Sequence, residues 1–99
     1  MARTILTEAQ IAERLLQLNG WTVENMRLQK TFQVDTYMAG LAFASAVGTV
    51  CEALDHHPDI HIGWRRVTVS FTTHDVGNVL TESDFRAANA VDALRYPKA

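Results

Sequence analysis

Hydrophobic residues recur at the spacing of an α-helix in three stretches of the chain. The first stretch covers residues 8–18. It follows a capping box at residues 7–10, in which a threonine side chain covers free N–H groups, and it ends at Asn19-Gly20, a common helix stop. The second stretch covers residues 36–54 and can be capped by Asp35. Its many alanine, glycine and serine residues would let it approach a sheet or another helix closely.

Alternating hydrophobic and polar residues predict four β-strands, arranged as two hairpins. The strands cover residues 21–24, 31–34, 60–64 and 67–71. The first hairpin would turn at residues 25–29. The second would turn at Arg65-Arg66, which lacks the Asn-Gly chemistry favoured in tight hairpins. The third helical stretch begins at Thr81-Glu82-Ser83-Asp84, and Pro97 lies just beyond its end.

The order of elements is therefore helix, two strands, helix, two strands, helix. Short connections favour antiparallel hairpins, and the apolar helix faces need one face of a sheet to cover. We expect an α+β fold, α-β-β-α-β-β-α, with a four-stranded antiparallel sheet and three helices packed on one face. The 99 residues form a single domain, 1–99, without a linker or a low-complexity segment.

Composition excludes several classes of function. The formal net charge is -2, and no basic run or basic helix face points to nucleic acid. The longest mostly apolar run, Met38–Val50, is too short to span a membrane, and residues 1–4 are not followed by the apolar region of a signal peptide. A single cysteine, Cys51, excludes an internal disulfide and fits a reducing cytosol, so a cytoplasmic protein is expected. We expect the Cys51 thiol to be buried and inert.

Three of the four histidines lie at the ends of predicted elements. His56 and His57 precede Pro58, and His74 follows the fourth strand. Because histidine exchanges protons near neutral pH, the three imidazoles could line one pocket with proton-transfer groups. Without further information, a His-His-Pro corner is more often a solvated helix end than a site. The remaining histidine, His61, lies on the strand face opposite its apolar neighbours and is expected to be exposed.

A metal site is the weaker interpretation of the same residues. It would use His56, His57, His61 and His74 with Asp75. Adjacent histidines rarely both point at one ion in a regular element, and the sequence has no further cluster of cysteine or histidine to help. We therefore expect a metal-free pocket.

The spacing of these residues resembles the signature of the pterin-4a-carbinolamine dehydratases. The matching positions are Glu52, His56-His57-Pro58, Trp64, His74 and Asp84, separated by three, five, nine and nine residues. The predicted element order is also similar to the fold of that family, so the resemblance covers nearly the whole chain.

The resemblance implies an enzyme that removes water from a 4a-hydroxytetrahydropterin, the carbinolamine that aromatic amino-acid hydroxylases leave behind. The product would be a quinonoid dihydropterin, which a separate reductase returns to the tetrahydro form. No metal or bound cofactor is implied, because the pterin is the substrate itself. Members of the family commonly form dimers or dimers of dimers, so a homodimer or homotetramer is expected.

Carried over by motif position, the resemblance implies that His56, His57 and His74 face the pterin. We expect His57 and His74 to be the proton-transfer pair and His56 to hold the substrate. Asp55, Asp75 or Glu52 could orient an imidazole or favour its protonated form, and Trp64 could pack beside the ring or only fill the sheet. Asp84 is interpreted as a helix cap.

A binding module is the alternative from another class of function. Proteins similar to this family include a dimerisation cofactor of a homeodomain transcription factor and degenerate assembly chaperones. The chaperone-like relatives tend to have lost the histidines, whereas this chain has them all, which favours an enzyme. The sequence does not specify which pterin is bound.

Overall fold

In the computed structural model, which describes residues 4–96, three α-helices pack on one face of a four-stranded antiparallel sheet. The helices are α1 (Glu8–Leu15), α2 (Tyr37–Ala53) and α3 (Glu82–Asp92). The strands are β1 (Thr22–Glu24), β2 (Arg27–Gln33), β3 (Asp59–Gly63) and β4 (Arg66–Phe71). Their order in the sheet is β1-β2-β4-β3, so β2 and β4 join the two hairpins at the centre. The predicted fold class and element order are confirmed.

The central strands bury the sheet face that the helices cover. Val67, Val69 and Phe71 alternate along β4 and are all fully buried, and Leu28 of β2 is buried with them. Helix α2 approaches this face closely at Gly40, where an added Cβ would lie 3.3 Å from Cγ2 of Val67. The small residues of α2 therefore allow the close packing that the sequence indicated.

The opposite side of the sheet, which we call the open face, is polar. The Thr31 and Thr68 hydroxyl groups lie 2.8 Å apart on β2 and β4. His61 is exposed on β3, as predicted. This face therefore carries polar cross-strand contacts and has no second hydrophobic layer within the described residues.

The first hairpin is tighter than the sequence indicated. Its turn is formed by Asn25 and Met26, whose φ angles are 53° and 59°, and β2 already begins at Arg27. The prediction of a turn over residues 25–29 was wrong because arginine, glutamine and lysine flank the buried Leu28 and hide the alternation. A two-residue turn with positive φ at both positions matches the twist of paired strands.

Other boundaries shift by one to three residues. The second hairpin turns at residues 64–65, not 65–66, with Arg65 at a φ of 60°. Thr36 caps α2 instead of Asp35, because its hydroxyl accepts the Ala39 N–H at 2.9 Å. Helix α1 ends at Leu15, and the chain continues to residue 18 in tighter turns. Pro97, predicted to follow the last helix, lies outside the described residues.

Helix α2 carries the single cysteine into the core. Cys51 is fully buried, and burial raises the pKa of its thiol to about 11. The thiol therefore stays protonated at neutral pH, as expected for an inert side chain. Within residues 4–96, no helix has the length and apolar character needed to cross a membrane.

Candidate active site

The end of α2 directs the two adjacent histidines. Leu54 is the C-cap, and Asp55 follows in the left-handed conformation with a φ of 53°. The N–H of Asp55 bonds to the carbonyl of Glu52, and the N–H of His56 bonds to the carbonyl of Cys51, both at 3.1 Å. This is the Schellman pattern of helix termination, normally built on glycine. The sharp reversal sends His56 back toward the core and leaves the following residue on the surface.

His56 is buried against α3. Its side chain is 7% exposed, and its Nε2 lies 2.7 Å from Oδ1 of Asp84, which is fully buried. The imidazole also stacks on Phe71 of β4, with ring centroids 5.9 Å apart. Because a carboxylate can only accept here, Nε2 carries the proton, and the lone pair of a neutral ring lies on Nδ1. A buried carboxylate thus sets the orientation and tautomer of His56.

Asp84 performs two tasks at the start of α3. Its Oδ2 accepts the backbone N–H of Thr81 at 2.9 Å, which completes a capping box, and the Thr73 hydroxyl at 2.7 Å. Its Oδ1 accepts from His56. The predicted helix cap is therefore confirmed, and the same carboxylate also orients a candidate catalytic ring.

His57 points away from the core and is held by α2. Its side chain is 58% exposed, and its Nε2 lies 2.5 Å from Oε1 of Glu52, in the last turn of the helix. Glu52 is thus the acidic residue that orients this imidazole. Asp55 and Asp75 were also predicted to orient an imidazole, and both lie at the cleft described below.

His74 is held by its own loop. It begins a short 3₁₀ turn, His74–Val76, which ends at Gly77 with a φ of 89°. The His74 Nδ1 donates to the Asn78 amide oxygen at 2.8 Å, which places the lone pair of a neutral ring on Nε2. The segment that follows β4 therefore contains a helical turn that fixes the third histidine.

These elements meet in one cleft of about 240 Å³. The lining residues are Asp55, His56, His57, Thr72, His74 and Asp75. Five of the predicted site residues, the three histidines with Asp55 and Asp75, are therefore brought together. Trp64 is not among them, since it lies in the turn at the far end of β3, about 20 Å along the strand from Pro58, with Arg65 over its exposed ring.

Three residues of this arrangement were not predicted as part of the site. Thr72 lines the cleft, Asn78 holds His74, and Thr73 donates to Asp84. Thr72 and Thr73 directly precede His74 and follow the end of β4, and this position was the signal in the sequence that could have placed them at the site. Asn78 lies four residues after His74, and only the 3₁₀ turn brings the two side chains together.

The cleft can exchange protons, and it contains no recognisable metal centre. No group of three or more His, Cys, Asp or Glu residues within residues 4–96 is placed to hold a metal ion. Each of the three imidazoles makes a hydrogen bond through one ring nitrogen to an acceptor side chain. The three acceptors lie in α3, in α2 and in the loop after β4. Such contacts orient a ring and select its tautomer, which are the requirements for a general acid or base.

The left-handed residue at the end of α2 leads to a test of stability. Replacing Asp55 with glycine should raise the free energy of unfolding by about 0.5–1 kcal/mol, because glycine adopts positive φ without a Cβ clash. For a domain of this size, the midpoint of thermal unfolding should rise by about 2–8 °C. Asp55→Ala is the control, since it removes the carboxylate and keeps the Cβ. A glycine variant less stable than the wild type would show that the carboxylate contributes more than the strain costs.

Comparison with known proteins assigns the chain to a family. The family model described as Pterin 4 alpha carbinolamine dehydratase matches residues 4–94. A Roseiflexus sp. (strain RS-1) protein, named provisionally as a pterin-4-alpha-carbinolamine dehydratase, is 46% identical over 92% of this chain and 97% of its own length. A similarly named protein of Mycobacterium tuberculosis (strain ATCC 25177 / H37Ra) is 39% identical over 91% of this chain and 95% of its own.

Two solved structures share the fold. The transcriptional coactivator/pterin dehydratase from Brucella melitensis superposes with a TM-score of 0.84 at 29% identity, covering 92% of this chain and 98% of that one. A pterin dehydratase-like protein identified as a RuBisCO assembly factor in the alpha-carboxysome gives a TM-score of 0.59 at 26% identity, covering 77% and 87%. The chain belongs to the pterin-4-alpha-carbinolamine dehydratase family.

Proposed function

We propose that this protein is a cytosolic dehydratase that removes water from 4a-hydroxytetrahydropterins by histidine general acid–base catalysis. The observation that carries the proposal is the convergence of three oriented imidazoles on one cleft. His56, His57 and His74 each have one ring nitrogen held by Asp84, Glu52 or Asn78, and all three line the same cavity. Family membership supplies the substrate class.

The reaction needs two proton transfers. The C4a–O bond breaks, and the leaving hydroxide takes a proton from a general acid and departs as water. The lone pair of N5 forms the C4a=N5 double bond, and a general base removes the N5 proton. The net change is the loss of one water molecule, without oxidation or reduction. A positioned acid and a positioned base each contribute typically 10²–10⁴-fold to such a step.

The different burial of the histidines supports a division of roles. His57 and His74 are exposed at the cleft, so they can reach a substrate and exchange protons with solvent between turnovers. His56 is buried and fixed between Asp84 and Phe71, which suits a group that positions the ring. The Glu52 carboxylate beside His57 would stabilise the positive charge of a protonated imidazole during the reaction.

The decisive measurement is the dehydration of freshly generated 4a-hydroxytetrahydropterin, followed by ultraviolet absorbance, with and without protein. We expect the wild type to accelerate the reaction well above the rate in buffer. Circular dichroism on the same sample establishes that the protein is folded. A folded protein that produced no acceleration would rule out the dehydratase.

A non-catalytic binding module is the second candidate. Its support is the structural similarity to the protein identified as a RuBisCO assembly factor, at a TM-score of 0.59. In that case the cleft would be retained without turnover, and the protein would act by holding a partner, as a dimerisation cofactor or an assembly chaperone. The absence of acceleration in the assay above, together with pterin binding by the folded protein, would favour this function.

We also propose that the protein acts as a homodimer or homotetramer. Tyr37 and Met38 are exposed at the start of α2, 49% and 70% respectively, and β1 and β3 leave two edges of the sheet without a partner strand in the described chain. Exposed apolar side chains and free strand edges are common contact surfaces between subunits. Light scattering decides the point, and a monomer at micromolar concentration would contradict it.

A further inference from the structure

A polar cluster on the open face of the sheet adjoins the cleft. Arg27 Nε donates to Ser70 Oγ at 2.7 Å, and Arg27 Nη2 donates to the Asp59 carboxylate. These three residues come from the adjacent strands β2, β4 and β3, and Asp59 lies opposite Ser70 in the register. None of them takes part in the proton transfers proposed above. We call them the Arg27 cluster.

Two chain connections place the Arg27 cluster beside the histidines. Thr72 lines the cleft two residues after Ser70, and its hydroxyl donates to the carbonyl of Met26 at 2.9 Å, directly before Arg27. Asp59 lies two residues after His57, so the Cα atoms of these two residues are within about 7 Å. A pterin ring held at His57 would therefore have the Arg27 cluster within reach of a substituent on the ring.

The cluster retains hydrogen-bonding capacity. Arg27 uses Nε and Nη2 in the bonds described, and its Nη1 makes no hydrogen bond within residues 4–96. The Asp59 side chain is 74% exposed, so its carboxylate can accept further hydrogen bonds. The opposite charges of Arg27 and Asp59 largely offset each other. A donor and an acceptor side by side suit neighbouring hydroxyl groups, each of which both donates and accepts, better than a lone ion.

We propose that the Arg27 cluster is a subsite for a hydroxylated substituent on the pterin ring. Arg27 would donate to one hydroxyl oxygen, and Asp59 would accept from a neighbouring hydroxyl group. Ser70 holds Arg27 in place, and the Arg27 side chain is 31% exposed. This inference rests on the proposed function, because it places the ring against His57 and His74. It predicts that a pterin with a diol side chain is a better substrate than one with a methyl group.

The test compares two 4a-hydroxytetrahydropterins, one with a dihydroxypropyl side chain and one with a methyl group. Asp59→Asn and Arg27→Met should each lower kcat/KM for the hydroxylated substrate by roughly 10–150-fold, the effect of losing one hydrogen bond to a charged group. Neither variant should change kcat/KM for the methyl substrate. Arg66→Met is the matched control, because it removes an exposed arginine on the same face at the opposite end of β4.

The outcomes separate this inference from the proposed function. Equal losses on both substrates would show that Arg27 and Asp59 only brace the strands, and no loss on either would remove them from the site. A higher kcat/KM for a pterin with a carboxylate tail, raised further by Asp59→Asn, would contradict the proposal that the cluster binds a diol. If the folded wild type is inactive on both substrates, the subsite is tested by measuring dissociation constants for the two oxidised pterins by fluorescence titration. Weaker binding of the diol form alone in the variants supports the subsite, and unchanged dissociation constants overturn it.

Discussion

Replacement of His57 or His74 with alanine is expected to lower kcat for pterin dehydration by roughly 10²–10⁴-fold, because each variant loses one of two proton-transfer groups. KM should change much less, since His56 and the remaining lining of the cleft still hold the ring. Both side chains lie at the surface of the cleft, so the variants should fold normally. Steady-state kinetics with each purified variant measures the effect.

His61→Ala supplies the matched control for these variants. It removes the remaining histidine, which is exposed on the open face of β3 and does not line the cleft. We expect wild-type kinetics from it. In the double variant of His57 and His74, kcat should be little lower than in either single variant, because the effects of residues that act as a unit do not add. Near-normal kcat in either single variant would remove that histidine from the proton-transfer pair.

Asp84→Ala should lower the free energy of unfolding by a large fraction of its total. The buried carboxylate accepts hydrogen bonds from His56, Thr73 and the Thr81 backbone, and its removal leaves three buried donors without their acceptor. Breaking a buried network of this kind costs about 3–5 kcal/mol. Since small domains unfold with only about 5–15 kcal/mol, much of the total would be lost. Urea unfolding measures the change.

Two further variants test whether the buried carboxylate causes the loss of stability in Asp84→Ala. Asp84→Asn keeps the shape but leaves one carbonyl oxygen to serve the same donors, so its loss should be intermediate. Glu82→Ala removes a neighbouring acidic residue of the same helical turn whose partner, Arg14, lies at the surface, so only a small change is expected. An alanine variant at position 84 that is as stable as the Glu82 variant would contradict a structural role for the buried carboxylate.

The parts of the fold that the sequence predicted well have strong local signals. The capping residues of α1 and α3 and the alternation of β4 are decided by neighbouring side chains, and the structure confirms them. Strand β2 was assigned too short because Arg27, Gln29 and Lys30 obscure the buried Leu28. Asn25 and Met26 form a tight turn without glycine, which local propensity does not favour.

The candidate site also has parts that the sequence predicts and parts that it does not. The positions of the histidines could be predicted, because they follow from helix and strand ends. Their partners could not all be predicted, because His56 meets Asp84 across 28 residues and Asn78 reaches His74 only through the 3₁₀ turn. Glu52 was one of three acidic candidates, and the chain reversal after α2 decided among them by bringing His57 back to the Glu52 carboxylate.

The bond between His56 and Asp84 has a consequence for the dynamics of the protein. It joins the chain reversal that ends α2 to the first turn of α3, so fraying of either helix end would release the His56 imidazole from its position in the cleft. Local opening of this corner would therefore switch off the active site before the domain unfolds. Under the proposed function, only molecules in which this helix-to-helix junction is closed would turn over substrate. Temperature would then act on activity through the equilibrium between the closed and the open junction.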